Sequence, residues 1–171
     1  IGLIYLITIV MKKALILLAT YNGEEFIEKQ LESILSQKSI DLQIIVSDDC
    51  STDNTLKIAE RFSQKYQNID IIKNPTRLGS ASSNFFHLIL NANIQDFDYV
   101  AFSDQDDIWF EDKLISGINE MEISFSDALS SDVIAYWSKT QKKKLIKKSY
   151  SQKKYDFIFE GPGPGCSQVF T

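Results

Sequence analysis

At 171 residues, with 44% hydrophobic and 24% charged side chains, the chain has the composition of one globular domain and can bury a core without staples. That excludes a disordered chain, a collagen and a disulfide-dense miniprotein; Cys50 and Cys166 stand too far apart in sequence to imply a disulfide framework. The net charge of −5 is unevenly spread, because Lys139, Lys142, Lys143, Lys144, Lys147, Lys148, Lys153 and Lys154 form an acid-free stretch and leave an acidic balance of −13 elsewhere. Such a body calls for a cation and disfavours nucleic acid as a partner, while the lysine stretch reads either as a solvated face or as a surface turned toward something anionic.

Residues 1–10 (IGLIYLITIV) are too short for a bilayer span of about 20 apolar residues. Their charges, Lys12 and Lys13, follow the apolar run instead of preceding it as in a signal peptide. Met11 with the two lysines reads as a natural start. Residues 1–10 are therefore expected to be a non-native or upstream-translated apolar extension, with packing on the domain or a membrane as the rival, and residues 11–171 the domain. The continuous apolar run 14–19 (ALILLA) suits a strand buried on both faces. Tyr21-Asn22-Gly23 breaks it. Ile27, Leu31, Ile34 and Leu35 then mark a helix over 24–37, with Glu24 and Glu25 favourable in its first turn.

Residues 43–47 (QIIVS) form a second predicted strand, followed by an acidic turn in which Ser51 or Thr52 suits an N-cap. A second helix follows on Ile58, Ala59, Phe62 and Tyr66. A third strand spans 69–73 and ends at Asn74-Pro75, and a third helix spans 80–93. His87, the sole histidine, is expected to pack in that helix, which leaves no basis for a histidine zinc site or a catalytic triad. A fourth strand covers 99–102 and a fourth helix 113–122. A fifth strand is expected at 133–137, a loop at 161–165, and a strand cut short at Val169-Phe170-Thr171, which reads as truncation. Alternating strands and helices predict an α/β fold with a mostly parallel central sheet flanked by helices. Ligands of such sheets bind beyond the carboxyl ends of the strands.

Three polar clusters follow predicted strands: Thr20-Tyr21-Asn22, Asp48-Asp49, and Asp104-Gln105-Asp106-Asp107. Each alone reads as a turn or a cap. Together, five carboxylates near one crevice repel one another unless a cation lies between them, and hard oxygen donors suit Mg²⁺ or Mn²⁺. Alternation along an extended strand end predicts that Asp104 and Asp106 face the crevice and Gln105 faces away.

The blocks LLATYNGEEFIEKQLESILSQ, IIVSDDCSTDNT and YVAFSDQDDIWFEDKL, in this order and spacing, resemble a family 2 glycosyltransferase of the GT-A fold, a Rossmann-like nucleotide-diphospho-sugar transferase fold. Ser-Asp-Gln-Asp-Asp-Ile-Trp resembles its bacterial surface-polysaccharide branch, including rhamnosyltransferase-like members. The resemblance implies that Thr20 and Tyr21 frame the nucleotide base, that Asp49 or Asp48 accepts from a base N–H, and that Asp104 reaches the ribose. Asp106, with Asp104 beside it, would hold Mg²⁺ or Mn²⁺ on the diphosphate, and Gly165, Cys166 and Ser167 would lie on the acceptor side. Where the family carries an Arg-Asn pair this chain reads Ser83-Asn84, with Arg77 nearby as a stand-in.

The implied reaction is metal-dependent, inverting transfer of a sugar from a UDP- or dTDP-linked donor to a hydroxyl on a glycan or lipid-linked acceptor, in cell-surface polysaccharide synthesis. The implied location is cytoplasmic; the lysines from Lys139 to Lys154, read from their charge alone, are either a solvated face or a peripheral contact with the inner face of the plasma membrane. The catalytic base is expected beyond Thr171, so no residue is assigned to it. A truncated or non-catalytic nucleotide-sugar-binding chain is the alternative. A phosphoacceptor signalling domain is disfavoured, because the third predicted strand ends in Lys-Asn-Pro and not in an aspartate.

Overall fold

The computed structural model describes residues 11–147 and 165–171. The expectations for residues 1–10, for Lys148, Lys153 and Lys154, and for the loop at 161–164 lie outside the described residues. The elements run β1 (Lys12–Thr20), α1 (Ile27–Leu35), β2 (Ile40–Asp48), α2 (Thr55–Lys65), β3 (Ile69–Lys73), α3 (Ala81–Asn91), β4 (Tyr99–Ser103) and α4 (Lys113–Ser124). Then come β5 (Ala128–Ser130), β6 (Val133–Trp137), β7 (Lys142–Ile146), a 3₁₀ turn (Gly165–Ser167) and β8 (Gln168–Phe170).

The central sheet has the order β3-β2-β1-β4-β8-β5. Its first four strands are parallel, and β8 lies antiparallel to both β4 and β5. The run in β1 is uninterrupted because both faces of the strand are covered. Ala14, Ile16 and Leu18 join Ile27, Leu31 and Ile34 of α1, Phe62 of α2, and Leu114 and Ile118 of α4 in one core. Leu15, Leu17 and Ala19 pack with Leu88 and Phe85 of α3 in a second core on the opposite face. Three helices on one face and one on the other make a sandwich of the expected class.

Several local expectations shift. Helix α1 starts at Ile27, because residues 24–26 form a turn in which Phe26 N and Ile27 N both donate to Gly23 O. Glu24 is not a first-turn residue; its carboxylate accepts from Asn54 N at 2.9 Å and Asn54 Nδ2 at 2.8 Å. Ser51 and Thr52 do not cap α2, which begins after Asn54. Ser51 Oγ accepts from Asn22 N, and Thr52 N donates to Asn22 Oδ1 at 2.8 Å, so the pair ties two loops together. Strand β6 is a strand as expected, but it pairs with β7 in a separate two-stranded sheet instead of joining the central one. The fifth helix-linked strand is β5, whose Ala-Leu-Ser carries no alternation to reveal it. Helix α3 buries only Asn84 and Leu88, leaving Phe86 66% and Leu90 82% exposed. Half-buried His87 hydrogen-bonds with Asn91 on the same helix.

Candidate functional site

Strand β1 is flanked by β2, which follows it through α1, and by β4, which returns on its other side. Chain direction therefore diverges between β1 and β4, the place where an open α/β sheet forms a crevice. The register brings Thr20 of β1 opposite Asp48 of β2, and Leu18 of β1 opposite Ser103 of β4, so the three strands end almost level.

A cleft of about 230 Å³ opens there. It is lined from three chain segments after strand ends: Thr20 and Tyr21; Asp49; and Asp104, Gln105 and Asp106. The segment from Arg77 to Asn84 supplies the remaining wall. Asp48 is not among the lining residues; it is buried, its Oδ2 accepts from Ser51 N at 3.0 Å, and its Oδ1 has no partner among the described residues.

Gln105 does not face away as alternation predicts. Its Oε1 accepts from Thr20 Oγ1 at 2.7 Å and from Tyr21 N at 2.8 Å, and its Nε2 donates to Tyr21 O at 3.1 Å. The strand has ended at Ser103, so the alternation of an extended chain no longer applies. One amide thus fastens the exit of β4 to the exit of β1. Gly23 makes this possible, since a Cβ there would collide with the Gln105 amide. Asn22 and Cys50, at φ 47° and 59°, take the left-handed conformation that turns each loop sharply after its strand.

Asp49 has a structural task as well as a place on the wall. Its two carboxylate oxygens accept from Leu78 N and from Gly79 N, fixing the loop that carries Arg77. The Arg77 guanidinium lies 4.0 Å from the centroid of the Tyr21 ring, a cation–π contact at the mouth of the cleft. Ser80 caps α3 through Ser83 N, and that helix opens toward the cleft at Ser80 and Ala81. Asn84 Nδ2 donates to Ser47 O at 2.9 Å, while its buried Oδ1 has no partner among the described residues. Replacing Asp49 with alanine is expected to cost about 2 kcal/mol, since two partly buried N–H groups lose a charged acceptor. Urea unfolding would read that loss, and faster hydrogen exchange at Leu78 and Gly79 would show that the Arg77 loop has come free.

The carboxylate side is strained electrostatically. Asp104, Asp107 and Cys166 place one donor atom each within 4.8 Å of one another. Burial, reinforced by Asp107 and Asp106, pushes the Asp104 carboxyl above its usual range, although Cys166 N–H donates to it. Burial also raises Asp107, which the Cys166 thiol and Lys113 partly offset, and one buried oxygen of Asp107 has no partner among the described residues. Lys113 is pushed down to about 8 by burial, with its ammonium 4.2 Å from the Trp109 ring centroid. Burial pushes the Cys166 thiol up, and its hydrogen bond with Asp107 adds to this. Of the remaining predicted residues, Gly165 opens the 3₁₀ turn, and Ser167 is buried with its Oγ 3.0 Å from Ser130 Oγ.

The residues that hold the loop after β4 in place are Ser33 on α1 and Gln37 just beyond its end. Ser33 Oγ accepts from Trp109 N, Gln37 Oε1 accepts from Leu114 N, and Gln37 Nε2 donates to Phe110 O at 2.7 Å. Polar side chains on the otherwise apolar face of a helix are the hint that would have flagged them.

The family model for glycosyl transferase family 2 matches residues 15–170. The chain belongs to glycosyltransferase family 2. A curated relative, the dTDP-rhamnosyl transferase RfbG of Shigella flexneri, is 45% identical over 153 residues, covering 89% of this chain and 53% of the relative. The chain thus spans about half the length of the curated relative it matches over most of its own length. Among solved structures, residues 1–349 of S. aureus TarS superpose with a TM-score of 0.71 at 21% identity, over 94% of this chain and 47% of that one. The mannosyltransferase PcManGT of Pyrobaculum calidifontis, solved with GDP-Man and Mn²⁺, superposes at 0.65 and 17% identity, over 95% and 45%. The GT-A expectation for this glycosyltransferase family 2 chain is met, with two antiparallel strands, β8 and β5, extending the parallel sheet at one edge. No helix among its described residues is long and apolar enough to cross a membrane.

Proposed function

We propose that this chain binds a nucleoside-diphosphate-sugar and forms the donor half of an inverting, metal-dependent glycosyltransferase. One observation carries the reading: an aromatic ring, a guanidinium and three carboxylates, on Tyr21, Arg77, Asp49, Asp104 and Asp106, converge on one cleft at the β1/β4 divergence. The base would lie against Tyr21, with Asp49 accepting its N–H. The ribose would reach Asp104. A diphosphate suits the far wall, where Arg77 and the N-terminus of α3 supply positive potential.

The donor set fits Mg²⁺ or Mn²⁺, because the hard carboxylate oxygens of Asp104 and Asp107 lie close together and Asp104 is held above its usual range by burial and then by Asp107 and Asp106. Asp106 and Asp104 would hold the ion. When bound, it would stabilise charge on the departing nucleoside diphosphate. Gln105 keeps the base side and the carboxylate side at a fixed separation, and Cys166 N–H orients Asp104. The acceptor would approach past the Gly165–Ser167 turn. The carboxylate that takes its proton is proposed to lie beyond Thr171, within the half of the relatives' length that this chain does not span.

The similarity to a rhamnosyl transferase named for dTDP supports a dTDP-linked donor, and the fold shared with TarS, solved with UDP-GlcNAc, supports a UDP-linked one. The acceptor is proposed to be a growing surface glycan or its lipid-linked precursor, reached from the cytoplasmic face. Calorimetric titration of UDP and dTDP, with and without Mn²⁺, tests the donor site. Binding of at least one nucleotide, tightened by Mn²⁺ and weakened as pH falls through the raised Asp104 range, is the expected result. Absence of binding to both would end this reading.

A further inference from the structure

We propose that the β6–β7 hairpin is a docking surface for an anionic membrane. This deepens the reading of a lipid-linked acceptor, and it depends on no residue of the donor cleft.

Among the described residues the hairpin makes its own two-stranded sheet, outside the hydrogen-bonding of the central one. A two-stranded sheet is marginal in water by itself and gains from packing against a further surface. Residues 133–147 carry Lys139, Lys142, Lys143, Lys144 and Lys147 and no acid, on a chain whose net charge is −5. The hairpin is thus the one stretch of the described residues where charge of a single, positive sign is concentrated against an acidic body.

The register sorts the remaining side chains. Ile134 lies across from Leu145 and Tyr136 across from Lys143 on one face; Val133 faces Ile146 and Trp137 faces Lys142 on the other. These apolar groups are open to solvent: Ile134, Tyr136, Trp137 and Leu145 are each about half exposed and Ile146 is 39% exposed. Every residue of β7 is exposed. The turn is ordered from within, since Tyr136 OH donates to Gln141 Oε1 at 2.6 Å and Lys143 sits over the Tyr136 ring.

Apolar and aromatic side chains alternating with lysines on a thin ribbon match the boundary between headgroups and acyl chains. Tyrosine and tryptophan favour that depth, and lysine stems lie along apolar surface while their ammonium groups reach outward to phosphates. Anionic lipid attracts each such lysine, and salt screens the attraction. A duplex nucleic acid would satisfy the lysines but leave Ile134 and Leu145 in water, and its charge would be repelled by the acidic body.

The test is sedimentation of the full 171-residue chain with vesicles of phosphatidylcholine alone, or with about 30 mol% phosphatidylglycerol, at low and high salt. Binding is expected only to the anionic vesicles and should fall with salt. The triple variant Lys142→Glu, Lys143→Glu, Lys144→Glu should bind at least about tenfold more weakly. Trp137→Ser should weaken binding severalfold while keeping the salt dependence. Circular dichroism confirms that each variant is folded, and Mn²⁺-dependent nucleotide binding by the same samples reports separately on the donor cleft. No vesicle binding by the wild type, equal binding to neutral vesicles, an unaffected triple variant, or tighter binding to a DNA duplex than to vesicles would each overturn the assignment.

Discussion

Asp106→Ala is expected to weaken Mn²⁺-dependent binding of UDP or dTDP by at least about 100-fold while leaving the melting temperature nearly unchanged. Asp106 is exposed on the cleft wall and supports no buried contact among the described residues, so its removal touches the ion and little else. Asp104→Ala should show the same loss of metal dependence with a different signature in stability. The Asp104 carboxyl is destabilised as an anion by burial and by Asp107 and Asp106. A carboxyl whose value is raised on folding stabilises the chain at low pH and loses that contribution as pH rises through the raised value. Without metal, the Asp104→Ala chain should therefore match or exceed the wild type in stability at neutral pH. With Mn²⁺ the order should reverse, because the ion stabilises only the chain that retains its ligand. Calorimetry for binding and thermal melts with and without Mn²⁺ read both effects. An Asp106→Ala chain that kept its metal-dependent affinity would remove Asp106 from the site.

The second large effect lies in the core. Ile16→Ala should cost about 4 kcal/mol and lower the melting temperature by roughly 8–16 °C. Ile16 is fully buried at the middle of β1, between Ile44 of β2 and Ala101 of β4, and belongs to the core that gathers α1, α2 and α4. Strands on both sides and helices above it hinder collapse into the space left behind. Lys13→Ala, on the same strand near its start, should cost well under 1 kcal/mol, as an ordinary surface change. Urea unfolding of the pair decides the matter; similar midpoints would mean that β1 is not the centre of the fold.

Much of the sheet was legible because burial on two faces leaves a plain trace. The run 14–19 has the length and continuity of a strand covered above and below, and Ile27, Leu31 and Ile34 mark the buried stripe of α1. The polar clusters were legible from their position after strands, and Tyr21, Asp49, Asp104 and Asp106 do come to one cleft. What escaped depends on partners distant in sequence. Ser33 and Gln37 meet backbone amides 76 and 77 residues away. Gln105 was misplaced because parity along a strand says nothing once the strand has ended. The lysine run hid β7, since five exposed residues, three of them lysines, have no strand signal of their own; pairing with Val133–Trp137 creates it. Asp48 and Asp49 were equivalent as letters and both are buried; only their partners separate them, Ser51 N for Asp48, and Leu78 N and Gly79 N for Asp49 on the cleft wall.

The near-level ends of β1, β2 and β4 tie the chemistry of the cleft to the register of the sheet. Thr20 stands against Asp48 through a ladder that runs the length of β1, and Leu18 against Ser103 through one that begins at Ala14. Inserting or deleting one residue within β1 would exchange its two buried faces and, in the same stroke, carry Thr20 and Tyr21 out of reach of Gln105. Length in this strand is therefore inherited as a unit with the site, whereas the surface ribbon of β6 and β7, outside the ladder, is free to lengthen or vary without disturbing it.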